Sequence, residues 1–156
     1  MNQNLPFEVL RQLRAQGKTI ATAESCTGGL IGKLLTDVPG SSEVYMGGVI
    51  SYTNGVKHRL LGVREDTLRV YTAVSRQTAH EMARGTREAV QADIGVSVTG
   101  LAGPDGDGTG RPIGLVYIGI DMEGFSFSQE LHLTGDRAAI REQAAEAVLN
   151  LILEYA

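Results

Sequence analysis

Strand-like and helix-periodic segments alternate along this chain, and that alternation restricts it to a sheet covered by helices. Pro6 to Ala15 reads as the first helix, with Phe7, Leu10 and Leu13 on one face and Gly17 as its stop. Lys18–Thr22 is short and β-branched, as a strand should be. Leu30–Thr36 is a second helix, ended by Pro39-Gly40. Val44–Tyr52 reads as a buried strand in which Gly47-Gly48 points to a bulge or a close backbone approach. After the Asn54-Gly55 turn a short helix starts near Val56. Ser75 caps a longer helix, to near Gln91, whose inner face is Ala79, Met82, Ala83, Thr86 and Val90. Ile94–Thr99 is the third strand. Ile113–Asp121 and Phe125–Leu133 form a hairpin across Met122–Gly124, with Phe125, Phe127, Leu131 and Leu133 alternating. The last helix runs from about Arg137 to Tyr155, with Ile140, Ala144, Val148, Leu151 and Ile152 inward. The late hairpin makes the central sheet mixed, and 156 residues without a repeat or linker fit one α/β domain, 1–156.

Charge and composition narrow the partners. The formal net charge is -4 and no Lys/Arg block stands out, which disfavours nucleic acid and anionic membranes. Aromatics are scarce, at 5% with no Trp, so no base-stacking platform is expected. No apolar run is long enough to span a bilayer, and the first residues lack the basic start and apolar centre of a secretion signal. The lone Cys26 cannot form an internal disulfide, so the cytoplasm is the expected compartment.

The 20 glycines cluster, and the clusters mark where chemistry is to be sought. Ala23–Gly29 (AESCTGG) joins a strand to a helix, a place where ligands bind in open α/β sheets. Its Gly28 and Gly29 allow close backbone approach, and the amides that follow sit at a helix N-terminus, which favours an anion. The bland alternative is a tight turn that needs glycine and binds nothing. Gly100–Arg111 follows the third strand in the same way, with Thr99 at the strand end. Its Asp105 and Asp107 resemble the start of a calcium loop, but Val116 stands where a bidentate Glu is needed. No metal pattern is present, because the histidines are isolated and one cysteine cannot build a zinc cluster.

A serine nucleophile needs a base, and His58, His80 and His132 all read as surface residues. Lysine can replace histidine when burial or a neighbouring cation lowers its pKa, and Lys57 beside His58 and Arg59 is the candidate. A solvated lysine after a turn is the competing reading. Cys26 is read as a small buried thiol, with a nucleophile as the alternative. Arg137 and Arg141 place cations at the start of the last helix, against its dipole, unless an anion or the neighbouring Asp136 answers them.

Taken in order, AESCTGG, PGSS (Pro39–Ser42), YTNGVK (Tyr52–Lys57), TAVS (Thr72–Ser75), SVTGLAGPDG (Ser97–Gly106), PIGLVYIG (Pro112–Gly119) and GDR (Gly135–Arg137) resemble the carboxy-terminal domain family of CinA, including its standalone nicotinamide-nucleotide amidohydrolases. The resemblance covers Thr19 to the end. It implies a three-layer α/β/α sandwich, a homodimer or higher homo-oligomer, and deamidation of nicotinamide mononucleotide to nicotinic acid mononucleotide and ammonia, without metal or other cofactor. The activity of the amino-terminal CinA domain is expected to be absent, since the chain has no room for that domain. Carried over by motif, the working residues are Ser25, Ser42, Tyr52, Lys57, Thr99 and Arg137. On this reading Ser42 is the nucleophile and Lys57 the base, with Ser25 as the competing nucleophile. Ser25, Thr99 and loop amides hold the oxyanion or the carboxamide, and Tyr52 positions Lys57 or the ring. Thr27, Gly28, Gly29 and Gly100 line the substrate site, and the phosphate meets Arg137 or the Thr27–Gly29 amides. A nucleotide-binding or regulatory module without catalysis, and a purely structural dimerisation domain, are the alternatives.

Overall fold

The computed structural model describes residues 1–156. Its order is α1 (Leu5–Gln16), β1 (Ile20–Glu24), α2 (Leu30–Thr36), a 3-10 turn at Ser41–Glu43, β2 (Tyr45–Ile50), α3 (Asn54–Leu61), α4 (Glu65–Tyr71), α5 (Arg76–Val90), β3 (Ile94–Gly100), β4 (Leu115–Met122), β5 (Phe125–His132) and α6 (Arg137–Tyr155). The strands form one sheet in the order β2-β1-β3-β4-β5. β1 runs parallel to β2 and β3, whereas β3–β4 and β4–β5 are antiparallel, so the sheet is mixed as the hairpin required. Every residue of β1 is buried, as a strand covered on both faces must be.

The two faces carry separate apolar clusters. Ile20, Ile94, Val96 and Val98 pack with Leu10 and Leu13 of α1, Ile31 and Leu35 of α2, and Ala144, Val148 and Ile152 of α6 in a core of 23 buried residues. On the opposite face Ala23 meets Leu61, Val63 and Met82, from α3, the turn after it and α5. Helices therefore cover both sides, giving the α/β/α layering. No helix is long and apolar enough to cross a membrane.

Several local readings are met closely. Ser75 Oγ accepts the Thr78 N–H at the head of α5. The β1–β2 register shifts between Ile20 and Ala21, and a Cβ on Gly48 would lie 2.2 Å from Thr22 Oγ1, so Gly47-Gly48 serves both a bulge and a close approach. Others need correction. Phe7 is exposed, and α1 instead buries Leu5, Pro6, Val9, Leu10 and Leu13, a face rotated by one turn position. Val90 is only half-buried at the end of α5. Helix α4 had no counterpart in the sequence reading, because its seven residues bury only Thr67 and carry no apolar period.

Candidate active site

The three parallel strands point their carboxyl ends at one cavity of about 250 Å³. Ser25 and Cys26 reach it from the end of β1, Thr99 and Gly100 from β3, and Tyr52 and Lys57 from the segment after β2. Leu101–Gly103, Asp105 and Arg137 close it from the Gly-rich loop and the head of α6.

Lys57, the base candidate, is the centre. Thr53 Oγ1 accepts the Val56 N–H and starts α3 (3.3 Å), which turns Lys57 inward one turn later. Its side chain is 1% exposed, so the solvated reading fails. Nζ donates to Ser25 Oγ at 2.8 Å and to the Ser51 carbonyl at 2.7 Å. No carboxylate pairs with it, and burial pushes its pKa down from 10.5 to about 8. An amine that gives up its proton more readily than an ordinary lysine, touching a serine hydroxyl, is the arrangement that activates a weak nucleophile.

Ser42 does not join them. It is exposed in the turn before β2, while Lys57 follows the far end of that strand. A six-residue strand spans roughly 20 Å, so within one chain Ser42 is out of reach of Lys57, whereas Ser25 touches it. Ser25 N–H donates to the Val98 carbonyl (3.0 Å), so the backbone at the serine prolongs the sheet.

The turn after Ser25 is also not the anion site its glycines suggested. Glu24, 2% exposed at the end of β1, turns its carboxylate into that position. It accepts from Thr27 Oγ1 (2.6 Å) and from the amides of Gly29 (3.2 Å), Ile31 (2.9 Å) and Gly32 (3.0 Å). Gly28 and Gly29, at φ 61° and 106°, shape the turn around this internal anion. The Gly29 amide is therefore taken, and so is the Thr27 hydroxyl, which is why neither can grip a substrate phosphate. A usable signal existed: α2 starts without a Ser, Thr, Asp or Asn cap, so some other acceptor had to answer its amides.

The remaining candidates keep their places with altered duties. Thr99 Oγ1 donates to the Ala73 carbonyl (2.8 Å), so its proton is already committed. Tyr52 is 58% exposed and its hydroxyl accepts from Arg137 Nη2 (3.1 Å); it positions that arginine rather than Lys57. Arg137 Nη1 donates to the Gly103 carbonyl (2.6 Å) and fixes the loop over the cavity. Gly100 lines the wall. Cys26 lies beside the dyad, but burial pushes its thiol up to about 11, which leaves it a poor nucleophile. The amides of Ala102 and Gly103 are buried with the cavity wall and have no acceptor in the protein. Such donors are the material of an oxyanion hole. One further feature was invisible in the sequence: Thr72, a β-branched residue, sits at φ 70° and ψ 175°, a region left almost wholly to glycine. Arg111 holds this segment through Thr72 Oγ1 (3.2 Å) and the Val74 carbonyl, just where Ala73 and Val74 meet the cavity.

Fold and site together define a class: mixed-sheet α/β/α proteins with a buried serine–lysine pair where the parallel strands end. The chain belongs to the CinA C-terminal domain family, whose family model matches residues 2–156. A CinA-like protein of Syntrophomonas wolfei is 46% identical over 154 residues, 99% of this chain and 37% of that protein. The chain thus spans little more than a third of the length of the curated relatives it matches. Among solved structures, the competence/damage inducible protein CihA from Agrobacterium tumefaciens is 37% identical with a TM-score of 0.94, covering 97% of this chain and 93% of that one. A competence-damaged protein (CinA) superfamily member from Escherichia coli is 31% identical with a TM-score of 0.96, covering 99% and 90%.

Proposed function

We propose that this protein is an amidohydrolase acting on nicotinamide mononucleotide, with Ser25 as nucleophile and Lys57 as base. One observation carries the chemistry: a fully buried lysine amine 2.8 Å from a serine hydroxyl at the floor of a cavity. The identity of the amide rests on the family resemblance and on the Arg137 cation at the cavity rim, which suits a phosphate.

Neutral Lys57 takes the Ser25 proton as Oγ attacks the carboxamide carbon. The Ala102 and Gly103 amides receive the oxyanion. Lys57 then gives its proton to the departing amine, which leaves as ammonia and an acyl-serine ester. Water, deprotonated by Lys57, cleaves that ester to nicotinic acid mononucleotide and restores Ser25. No part of this sequence calls on a metal or cofactor. The enzyme works as a homo-oligomer in the cytoplasm on this reading, one step in pyridine nucleotide salvage.

The test is ammonia release by purified protein across nicotinamide mononucleotide, nicotinamide and unrelated amides, with and without a chelator. The expected result is turnover of the mononucleotide that the chelator leaves unchanged. Thermal stabilisation by the mononucleotide with no ammonia would instead establish a non-catalytic binding module.

A further inference from the structure

Two arginines sit four residues apart at the head of α6, and each holds one of the two glycine-rich loops that make the cavity. Arg137 takes the Gly103 carbonyl. Arg141 Nε donates to the Cys26 carbonyl (3.0 Å) and its Nη2 to the Thr27 carbonyl (3.0 Å). Neither arginine has a carboxylate partner; Arg137 opens α6, where the helix dipole disfavours a cation, and Arg141 stands one turn further in. Their charge is answered by loop carbonyls, and that arrangement asks for a reason beyond stability.

From this we infer that Arg141 is a positioning residue for the reaction proposed above: it sets the turn that presents Ser25 to Lys57. Peptide planarity transmits the grip, because fixing a carbonyl fixes the N–H on the other side of the same plane. The bond to the Thr27 carbonyl orients the Gly28 N–H, which donates back to the Ser25 carbonyl (3.1 Å) and closes the turn. The bond to the Cys26 carbonyl turns the Thr27 N–H away from α6, and that N–H has no acceptor in the protein. Glu24 holds the same turn from the α2 side through Thr27 Oγ1 and the Gly29 amide. Ser25 is thus braced by an anion from one side and a cation from the other. Arg141 does not line the cavity, whereas Arg137 does, so the two should separate in kinetics.

The inference rests on the amidohydrolase reading, and the experiment keeps the two apart. Ammonia release from nicotinamide mononucleotide is measured for wild type, Arg141→Lys, Arg141→Ala and the exposed control Arg11→Ala, with and without added guanidinium at a concentration below that which perturbs wild type. Turnover in Arg141→Ala should fall about 10- to 100-fold with KM within about twofold, as expected for a misoriented nucleophile. Arg141→Lys, which keeps the charge but offers no planar fork, should fall between. Guanidinium should raise kcat of Arg141→Ala and leave Arg11→Ala unchanged. An inert wild type would remove the amidohydrolase reading itself. An active wild type with Arg141→Lys and Arg141→Ala both at full turnover would overturn the inference. So would a loss confined to KM, or a loss that guanidinium does not relieve.

Discussion

Replacing Lys57 with methionine should flatten the pH dependence of stability over a defined range. The wild-type amine is buried with hydrogen bonds to Ser25 Oγ and the Ser51 carbonyl but no counter-charge, and its folded pKa is about 8 against 10.5 when unfolded. Folding therefore disfavours the charged form. Below about pH 8 the native state carries that penalty in full, and as pH rises toward 10.5 the unfolded chain binds more protons than the folded one, so stability climbs. Integrating the linkage relation between pH 7 and 10 gives roughly 2–3 kcal/mol gained by the wild type relative to Lys57→Met. The lost hydrogen bonds of the variant shift its curve by a constant and leave this slope untouched. Urea unfolding of both proteins at pH 7, 8, 9 and 10 measures it. Two curves that stay parallel within about 0.5 kcal/mol would mean that Lys57 titrates like a solvated lysine, and the basis for a lysine general base would be gone.

Three further outcomes are expected. The kcat/KM for the mononucleotide should rise about tenfold per pH unit on the acid side and level near pH 8, where Lys57 loses its proton; a plateau already reached at pH 6 would contradict this. Glu24→Ala should lower unfolding stability by about 3 kcal/mol or more, since it strips one hydroxyl and three amides of their acceptor; a change under 1 kcal/mol by urea unfolding would show that the cap is dispensable. Cys26, with its thiol pushed up to about 11 in a buried position, should resist iodoacetamide at pH 8 until the chain is unfolded; fast stoichiometric labelling of native protein, read by mass spectrometry, would refute its assignment as inert.

Much of the fold was legible because local signals and tertiary needs coincide in it. Leu30–Thr36 matches the observed helix residue for residue, and the last helix falls at about Arg137 to Tyr155 as expected, since a glycine pair or an aspartate marks each start and an apolar stripe fills each body. The mixed sheet followed from one hairpin. Phe7 misled because hydrophobicity predicts burial only when the helix is rotated correctly, and Leu5 with Val9 outweighed it. The site was legible in its residue types but not in its pairings. Lys57 reads as an ordinary lysine after a turn, and only the sheet reveals that β2 delivers it to the end of β1. Ser42 shares a motif-rich segment with Lys57, yet β2 carries the two to opposite ends of the sheet. Glu24 was missed although the uncapped start of α2 asks for an acceptor. Loop amides are expected to hold the oxyanion, but that those of Ala102 and Gly103 lack partners is a property of the folded chain alone.

The most direct trial of the Ser25–Lys57 assignment is steady-state ammonia release from nicotinamide mononucleotide by Ser25→Ala and Ser42→Ala side by side. Ser25→Ala should lose about a thousandfold or more in kcat while Ser42→Ala stays within about tenfold of wild type. A silent Ser42→Ala protein beside a near-normal Ser25→Ala protein would contradict the assignment and return the nucleophile to the other end of β2.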